Sequence, residues 1–208
     1  MHYAAHGGHL EVIRVLLENG AEADAGNRFF QRPLHYAAIG GYLDVVQLLL
    51  EKDANKEAKT IFSQTPLHFA ACIGHLDVVK LLLERGVKTE VEDMYKLRPL
   101  HCAAYSGHLE IVRILLDKPT ANPNAEDSTG WRPLHWAARG GASDVVRPLL
   151  KSGADIEAKN HDGESAYDTA IHSGHPAVAQ LLLNCREDGE TRNIKGLKSE
   201  ASIAAPGT

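Results

Sequence analysis

Histidine is the most conspicuous chemical resource of this chain, with twelve in 208 residues. Imidazole binds zinc, moves protons and serves as a general base, so this density raises metal binding and hydrolysis first. Spacing bears on both. His2, His35, His68 and His101 fall 33 residues apart, and His135 follows after 34. His9, His75, His108 and His175 form a second set, each directly after a glycine. His6, His161 and His172 stand outside both sets. A zinc site needs three or four ligands converging on one point. Neither set clusters in the way a ligand motif does. Cys72, Cys102 and Cys185 are an odd, scattered trio, which fits the reduced thiols of a cytoplasmic or nuclear protein better than a disulfide framework. No serine or cysteine has a recognisable nucleophile context. There is no paired-carboxylate motif and no glycine-rich phosphate loop following a strand. No catalytic, metal or cofactor-binding residue is expected, and the chain reads as a non-enzyme.

The elements that carry the histidines explain their spacing. "HYAAHGGHLEVIRVLLENGA" is followed by four blocks that open with PLH: "PLHYAAIGGYLDVVQLLLEKDA", "PLHFAACIGHLDVVKLLLERGV", "PLHCAAYSGHLEIVRILLDKPT" and "PLHWAARGGASDVVRPLLKSGA". A worn sixth copy, "SAYDTAIHSGHPAVAQLLLNC", puts Asp168 at the histidine position. In the third block Pro66 suits the first helical position, where its missing N–H costs nothing. Leu67, Ala70 and Ala71 form a small apolar stripe that lets a short helix pack closely, and Gly74 ends it. "HLDVVKLLLE" predicts a second helix with Leu76, Val79, Leu82 and Leu83 on one face. No single block can bury its apolar face, so stability must come from repeat stacking on repeat.

A 33-residue period with P-L-H-x-A-A resembles the ankyrin repeat. The resemblance covers residues 1–186, with boundaries at 1–30 (partial), 31–63, 64–96, 97–130, 131–163 and 164–186. It implies an all-α solenoid of stacked helix-turn-helix units with β-hairpin tips. It also implies that both histidine sets are structural and bond backbone groups within and between repeats. Equivalent positions in such a stack lie about 8–10 Å apart, which speaks against a shared metal. The first block lacks its preceding hairpin, as in a fragment of a longer array. Residues 187–208 hold few large apolar side chains and no periodicity, and are expected to form a polar, flexible tail.

Function is expected where the repeats differ. The resemblance assigns the partner-binding, concave face to the tips and the exposed side of each first helix. The tips read "NRFFQ", "TIFSQ", "DMYKL", "DSTGW" and "NHDGE". The first three replace the usual polar turn with Phe29-Phe30, Ile61-Phe62 and Met94-Tyr95. The position after each histidine holds Tyr3, Tyr36, Phe69, Cys102, Trp136 and Thr169, and three residues on stand His6, Ile39, Cys72, Tyr105, Arg139 and His172. Aromatics gather on these positions, where they give an interface large apolar area with few rotors to freeze. The candidate partner-binding set is therefore Arg28, Phe29, Phe30, Tyr36, Ile61, Phe62, Phe69, Met94, Tyr95, Cys102, Tyr105, Trp131, Trp136 and Arg139. Tyr36, Trp131 and Trp136 are equally readable as packing between repeats.

Two further departures carry expectations. Arg32, Arg98 and Arg132 precede the proline, where the family favours threonine. Arginine cannot accept a cap hydrogen bond, so each should forfeit about 0.5–2 kcal/mol of capping. These arginines are drift or, with Arg28 and Arg139, a basic line facing an acidic partner. Pro148, inside "DVVRPLL", should kink or shorten its helix and weaken the junction of repeats four and five, where Pro119 and Pro123 also lie.

A net charge of -5 argues against nucleic acid, and no apolar run is long enough to insert in a membrane. The expected partner is another protein or a peptide, bound by a monomer. The alternative is a structural or targeting segment of a larger protein, such as an enzyme, channel, ubiquitin ligase or pathogen effector.

Overall fold

The computed structural model describes residues 1–201, with side chains through residue 188. Among the described residues, twelve helices follow one another: α1 (His2–His6), α2 (Leu10–Glu18), α3 (Pro33–Gly40), α4 (Leu43–Glu51), α5 (Pro66–Ile73), α6 (Leu76–Glu84), α7 (Pro99–Ser106), α8 (Leu109–Leu116), α9 (Pro133–Gly140), α10 (Ser143–Lys151), α11 (Ala166–His172) and α12 (Pro176–Ala201). Odd-numbered helices stack in one row, α1 on α3 through to α11, and even-numbered helices stack in a second row beside it. Among the described residues there is no sheet, only one isolated bridge between Lys159 and Ser165.

The alanine pairs set the inner row. Ala37, Ala38, Ala70, Ala71, Ala103, Ala104, Ala137 and Ala138 are fully buried, and their small side chains let neighbouring inner helices approach closely. The outer helices bury a larger stripe, Val78, Val79 and Leu82 in α6 and Val145, Val146 and Leu149 in α10. One apolar core runs through all the repeats.

Histidines stitch this stack in both directions. In α3, His35 Nδ1 accepts the backbone N–H of Arg32 at 3.0 Å. Nε2 must then carry the proton, and it donates forward to the Ala58 carbonyl at 2.9 Å. His68 donates likewise to Leu97, His101 to Ala125 and His135 to Glu164. The second set reaches back: His75 to the Ile39 carbonyl, His108 to Cys72 and His175 to Arg139. Gly74 makes room for one of these stitches. Its φ of 98° is left-handed, and a Cβ there would lie 2.5 Å from the His108 ring.

Two expectations change. Pro148 does not shorten its helix, because α10 spans nine residues like α4 and α6. The shorter outer helix is α8, which stops at Leu116 ahead of Pro119. Proline disfavours helical backbone in the residue before it, here Lys118. The segment after residue 186 continues α12 as far as Ala201, although a polar tail without regular structure was expected. Its Arg, Glu, Lys and Leu content supports a helix despite Gly189 and Gly196. Residues 202–208 of that expected tail lie outside the described residues.

Candidate functional site

Each tip is a turn closed by its own first residue. Asn27 Oδ1 accepts the N–H groups of Phe29 and Gln31 at 2.9 and 3.0 Å. Thr60, Asp93, Asp127 and Asn160 do the same in the following tips. This side-chain mimicry of a backbone turn is what Asn, Asp and Thr supply. The tips are short hairpins: the backbone N–H of Asn27 donates across the turn to the Gln31 carbonyl at 3.0 Å, the later tips repeat this bond, and Lys159 and Ser165 add an antiparallel bridge, while the arms are too short to form a sheet ladder.

The ladder runs between tips instead. Ile61 N–H donates to the Phe29 carbonyl at 3.0 Å, Met94 to Phe62 at 2.9 Å, Ser128 to Tyr95 at 2.9 Å and His161 to Thr129 at 3.1 Å. Five tips therefore form one hydrogen-bonded ribbon. Their register follows the alignment of the five tip segments. Phe29, Phe62, Tyr95, Thr129 and Asp162 are equivalent, as are Arg28, Ile61, Met94, Ser128 and His161. Phe30 aligns with Ser63, Lys96, Gly130 and Gly163. All five members of this last set have positive φ, from 55° at Phe30 to 80° at Gly163. Glycine adopts that conformation freely, while a bulky side chain is strained there by about 1–2 kcal/mol. Aligning the tips on Gly130 and Gly163 is the sequence signal that locates this position.

Exposure is consistent along the apolar tips. Phe30 is 63% exposed, and Phe29, Ile61, Phe62, Met94 and Tyr95 lie between 40% and 53%. Arg28 stacks over the Phe29 ring at 4.6 Å.

The inner-helix candidates divide differently. Tyr36 is committed to the scaffold: its hydroxyl donates to Gln31 at 2.8 Å and accepts from Asn27, and its ring meets His2 and His6 edge-on. Phe69 packs edge-on to His35 and is half-buried, as is Cys102. Tyr105, Trp131, Trp136 and Arg139 come together as one group. Trp131 and Trp136 rings lie 5.3 Å apart, Tyr105 meets Trp136 edge-on at 5.7 Å, and Arg139 sits over both indoles. Trp136 also donates its indole N–H to Asp127 at 3.0 Å. This group forms part of the packing of repeats four and five, with Arg139 and Tyr105 at its exposed edge.

The three pre-proline arginines face inward to acids of the chain itself. Arg32 pairs with Asp24, Arg98 with Glu90 and Glu92, and Arg132 with Glu126 and Asp155. They are clamps on the connectors, the preceding one in each case and for Arg132 also the following one through Asp155, and a free basic line under the tips does not form. At Arg32 and Arg98 the expected capping loss is also smaller. His35, His68 and His101 direct their backbone N–H to the carbonyl of Arg32, Thr65 and Arg98 respectively, so the threonine holds no advantage there. Thr65 instead directs its hydroxyl to His68 Nδ1.

Burial pushes His35 down to about 4 and lowers His68, His101 and His135. These imidazoles are neutral structural donors. Among the described residues, no three His, Cys, Asp or Glu side chains are placed to hold a metal ion. No helix among them is long and apolar enough to cross a membrane. An open cleft of about 880 Å³, lined by Lys88, Glu90, Glu92, Lys118 and Pro119 among others, follows the connector that carries the extra residue.

The sequence matches family models for ankyrin repeats over residues 1–50, 57–127 and 119–193. No curated protein sequence matches it significantly. Ankyrin repeats are generally non-enzymatic, protein-interaction modules. Two rows of stacked helices, PLH histidines bonded to the next repeat and a ribbon of turn tips all agree with those matches, and the chain belongs to the ankyrin-repeat family.

Proposed function

We propose that the protein binds another protein or a peptide on the concave face, through the tips of the first three complete turns and the inner helices beside them. One observation carries this reading. Phe29, Phe62 and Tyr95 occupy one register position on a hydrogen-bonded ribbon, and each leaves about half of its ring in water. Phe30 adds a second exposed ring at a backbone position that favours glycine. No packing need accounts for these four side chains, whereas a partner would cover them.

Magnitudes agree with a specific but not extreme affinity. About 100 Å² left to bury on each of the four rings is worth roughly 10 kcal/mol gross at 25 cal/mol per Å². Association and ordering costs take several to more than ten kcal/mol of it. The ribbon lowers the ordering part by holding the tips in place beforehand, and Tyr105 and Arg139 offer further contacts. The partner presents apolar side chains to the tips. With Arg32, Arg98 and Arg132 already paired, net acidity in the partner is not required.

The test compares proteins captured by the wild type and by a Phe29→Ser/Phe30→Ser/Phe62→Ser/Tyr95→Ser variant, with Cys185→Ser as the matched control. Partners held by the tips should be lost from the first variant and kept by the control. Identical capture by all three would exclude the tips as the binding site.

A further inference from the structure

Cys72 and Cys102 occupy neighbouring inner helices, α5 and α7, in repeats three and four. Cys72 stands four residues after the PLH histidine of its repeat, and Cys102 one residue after that of the next. The same two positions touch elsewhere in the stack. His6 and Tyr36 meet edge-on at 5.7 Å, and so do Tyr105 and Trp136. Here the two positions hold thiols. His108 fastens the arrangement, because its Nε2 donates to the Cys72 carbonyl at 3.1 Å and ties the end of α5 to the repeat that carries Cys102. Cys72 is exposed, while Cys102 is partly covered. We propose that Cys72 is a peroxide-sensitive modification site and that Cys102 resolves it, closing a reversible disulfide across the interface of repeats three and four.

The local chemistry divides the roles. The Cys102 thiol and, after it, the Ser106 hydroxyl bring Cys72 down to about 6, against the opposing effect of burial. Cys72 is then the more readily ionised of the pair, and the thiolate is the form that attacks. Cys102 is pushed up by its Cys72 neighbour and by burial, so it holds the proton. With a hydroperoxide as oxidant, the Cys72 sulfur attacks the terminal peroxide oxygen and the O–O bond breaks. The leaving oxygen takes a proton and departs as water, or as an alcohol from an organic peroxide, leaving a sulfenic acid. The Cys102 thiol then gives up its proton, and its sulfur attacks the Cys72 sulfur. The S–O bond breaks, and hydroxide leaves with that proton as water. Two thiols are oxidised and one peroxide reduced. Closure brings the sulfurs to the covalent distance of about 2.05 Å, and a dithiol reductant reverses it by exchange. The bond would lock α5 to α7, in the middle of the array.

The test uses the reduced full chain exposed to graded hydrogen peroxide, followed by peptide mapping without reduction. A Cys72–Cys102 linked peptide should form within one chain, disappear on adding dithiothreitol, and precede any change at Cys185. In Cys102→Ser the reaction should stop at a sulfenic acid on Cys72, trapped by a dimedone probe. In Cys72→Ser, Cys102 should stay unmodified at the same dose. Alkylation of wild-type Cys72 by iodoacetamide should reach half its limiting rate below the ordinary thiol range, and a midpoint at or above that range would overturn the assigned roles. The wild-type mapping stands even where a variant folds poorly. Oxidation of Cys185 as fast as Cys72, or only intermolecular or sulfinic products at Cys72, would overturn the proposal.

Discussion

Both nitrogens of His35 are engaged, one accepting from Arg32 and the other donating to Ala58, and only the neutral ring can do both. The unfolded chain protonates such a ring near 6.5, the folded chain only near 4. Between those values the unfolded state binds more protons. Stability should therefore be full above about pH 6.5 and fall steadily towards pH 4, with His68, His101 and His135 adding in the same sense. His35 alone accounts for roughly 3 kcal/mol at 1.36 kcal/mol per unit. Urea midpoints measured from pH 7.5 to 4.5 check this, and a flat profile would show that the rings are not held neutral. Arg98 gives a second prediction. Arg98→Ala removes a partly buried pair with Glu90 and Glu92 and should destabilise by about 1–2 kcal/mol. The loss should shrink in 1 M salt, read from the same midpoints. The identity of these residues was legible in the sequence, but their partners were not. Asp24, Glu90, Glu92 and Glu126 lie on connectors whose path depends on the folded stack.

Among the elements, the tips combine two unlike demands. The turn wants glycine at the left-handed position, and Phe30, Ser63 and Lys96 stand there instead. Phe30→Gly, Ser63→Gly and Lys96→Gly should each raise stability by about 1 kcal/mol, measured by thermal or urea unfolding. If the tip binds a partner, only Phe30→Gly should also weaken capture. Pro148 is the other local conflict. It lies past the first turn of α10 and lacks the N–H that would bond Asp144. Pro148→Ala should stabilise by up to about 3 kcal/mol and slow hydrogen exchange over residues 110–155. Uniform protection across that region in the wild type would mean that the proline weakens nothing. The helices were readable because PLH, the alanine pairs and the leucine stripe recur in register. The tip register was readable only in part. The aligned tip letters pair Phe29 with Phe62 and Tyr95, but that Phe30, Ser63 and Lys96 share the left-handed backbone of Gly130 and Gly163 is not written in the letters.

On the scale of the whole molecule, the main helix contacts among the described residues run between neighbouring repeats along two rows. Stability is then close to a sum of repeats and interfaces, and damage in the middle separates the ends. Leu82→Ala, at a fully buried position of α6, should cost about 2–5 kcal/mol and split one unfolding transition into two, followed by circular dichroism and hydrogen exchange. A single sharp transition with an unchanged slope would argue for stronger coupling between repeats. The solenoid followed directly from the 33-residue period, since an apolar face that no block can bury alone leaves stacking as the remedy. The clamps and the tip ribbon did not follow, because they join residues from different blocks through geometry that periodicity leaves open. The stitches made by the histidines have a consequence for descent. Every acceptor is a main-chain carbonyl, belonging to Ile39, Cys72, Ala125, Arg139 and other residues with nothing chemically in common. A side chain at such a place can change without loosening the stitch. Whole units can be duplicated, lost or exchanged between arrays while each newcomer keeps the surface letters it brought, so the face that meets the outside world can diverge faster than the frame beneath it.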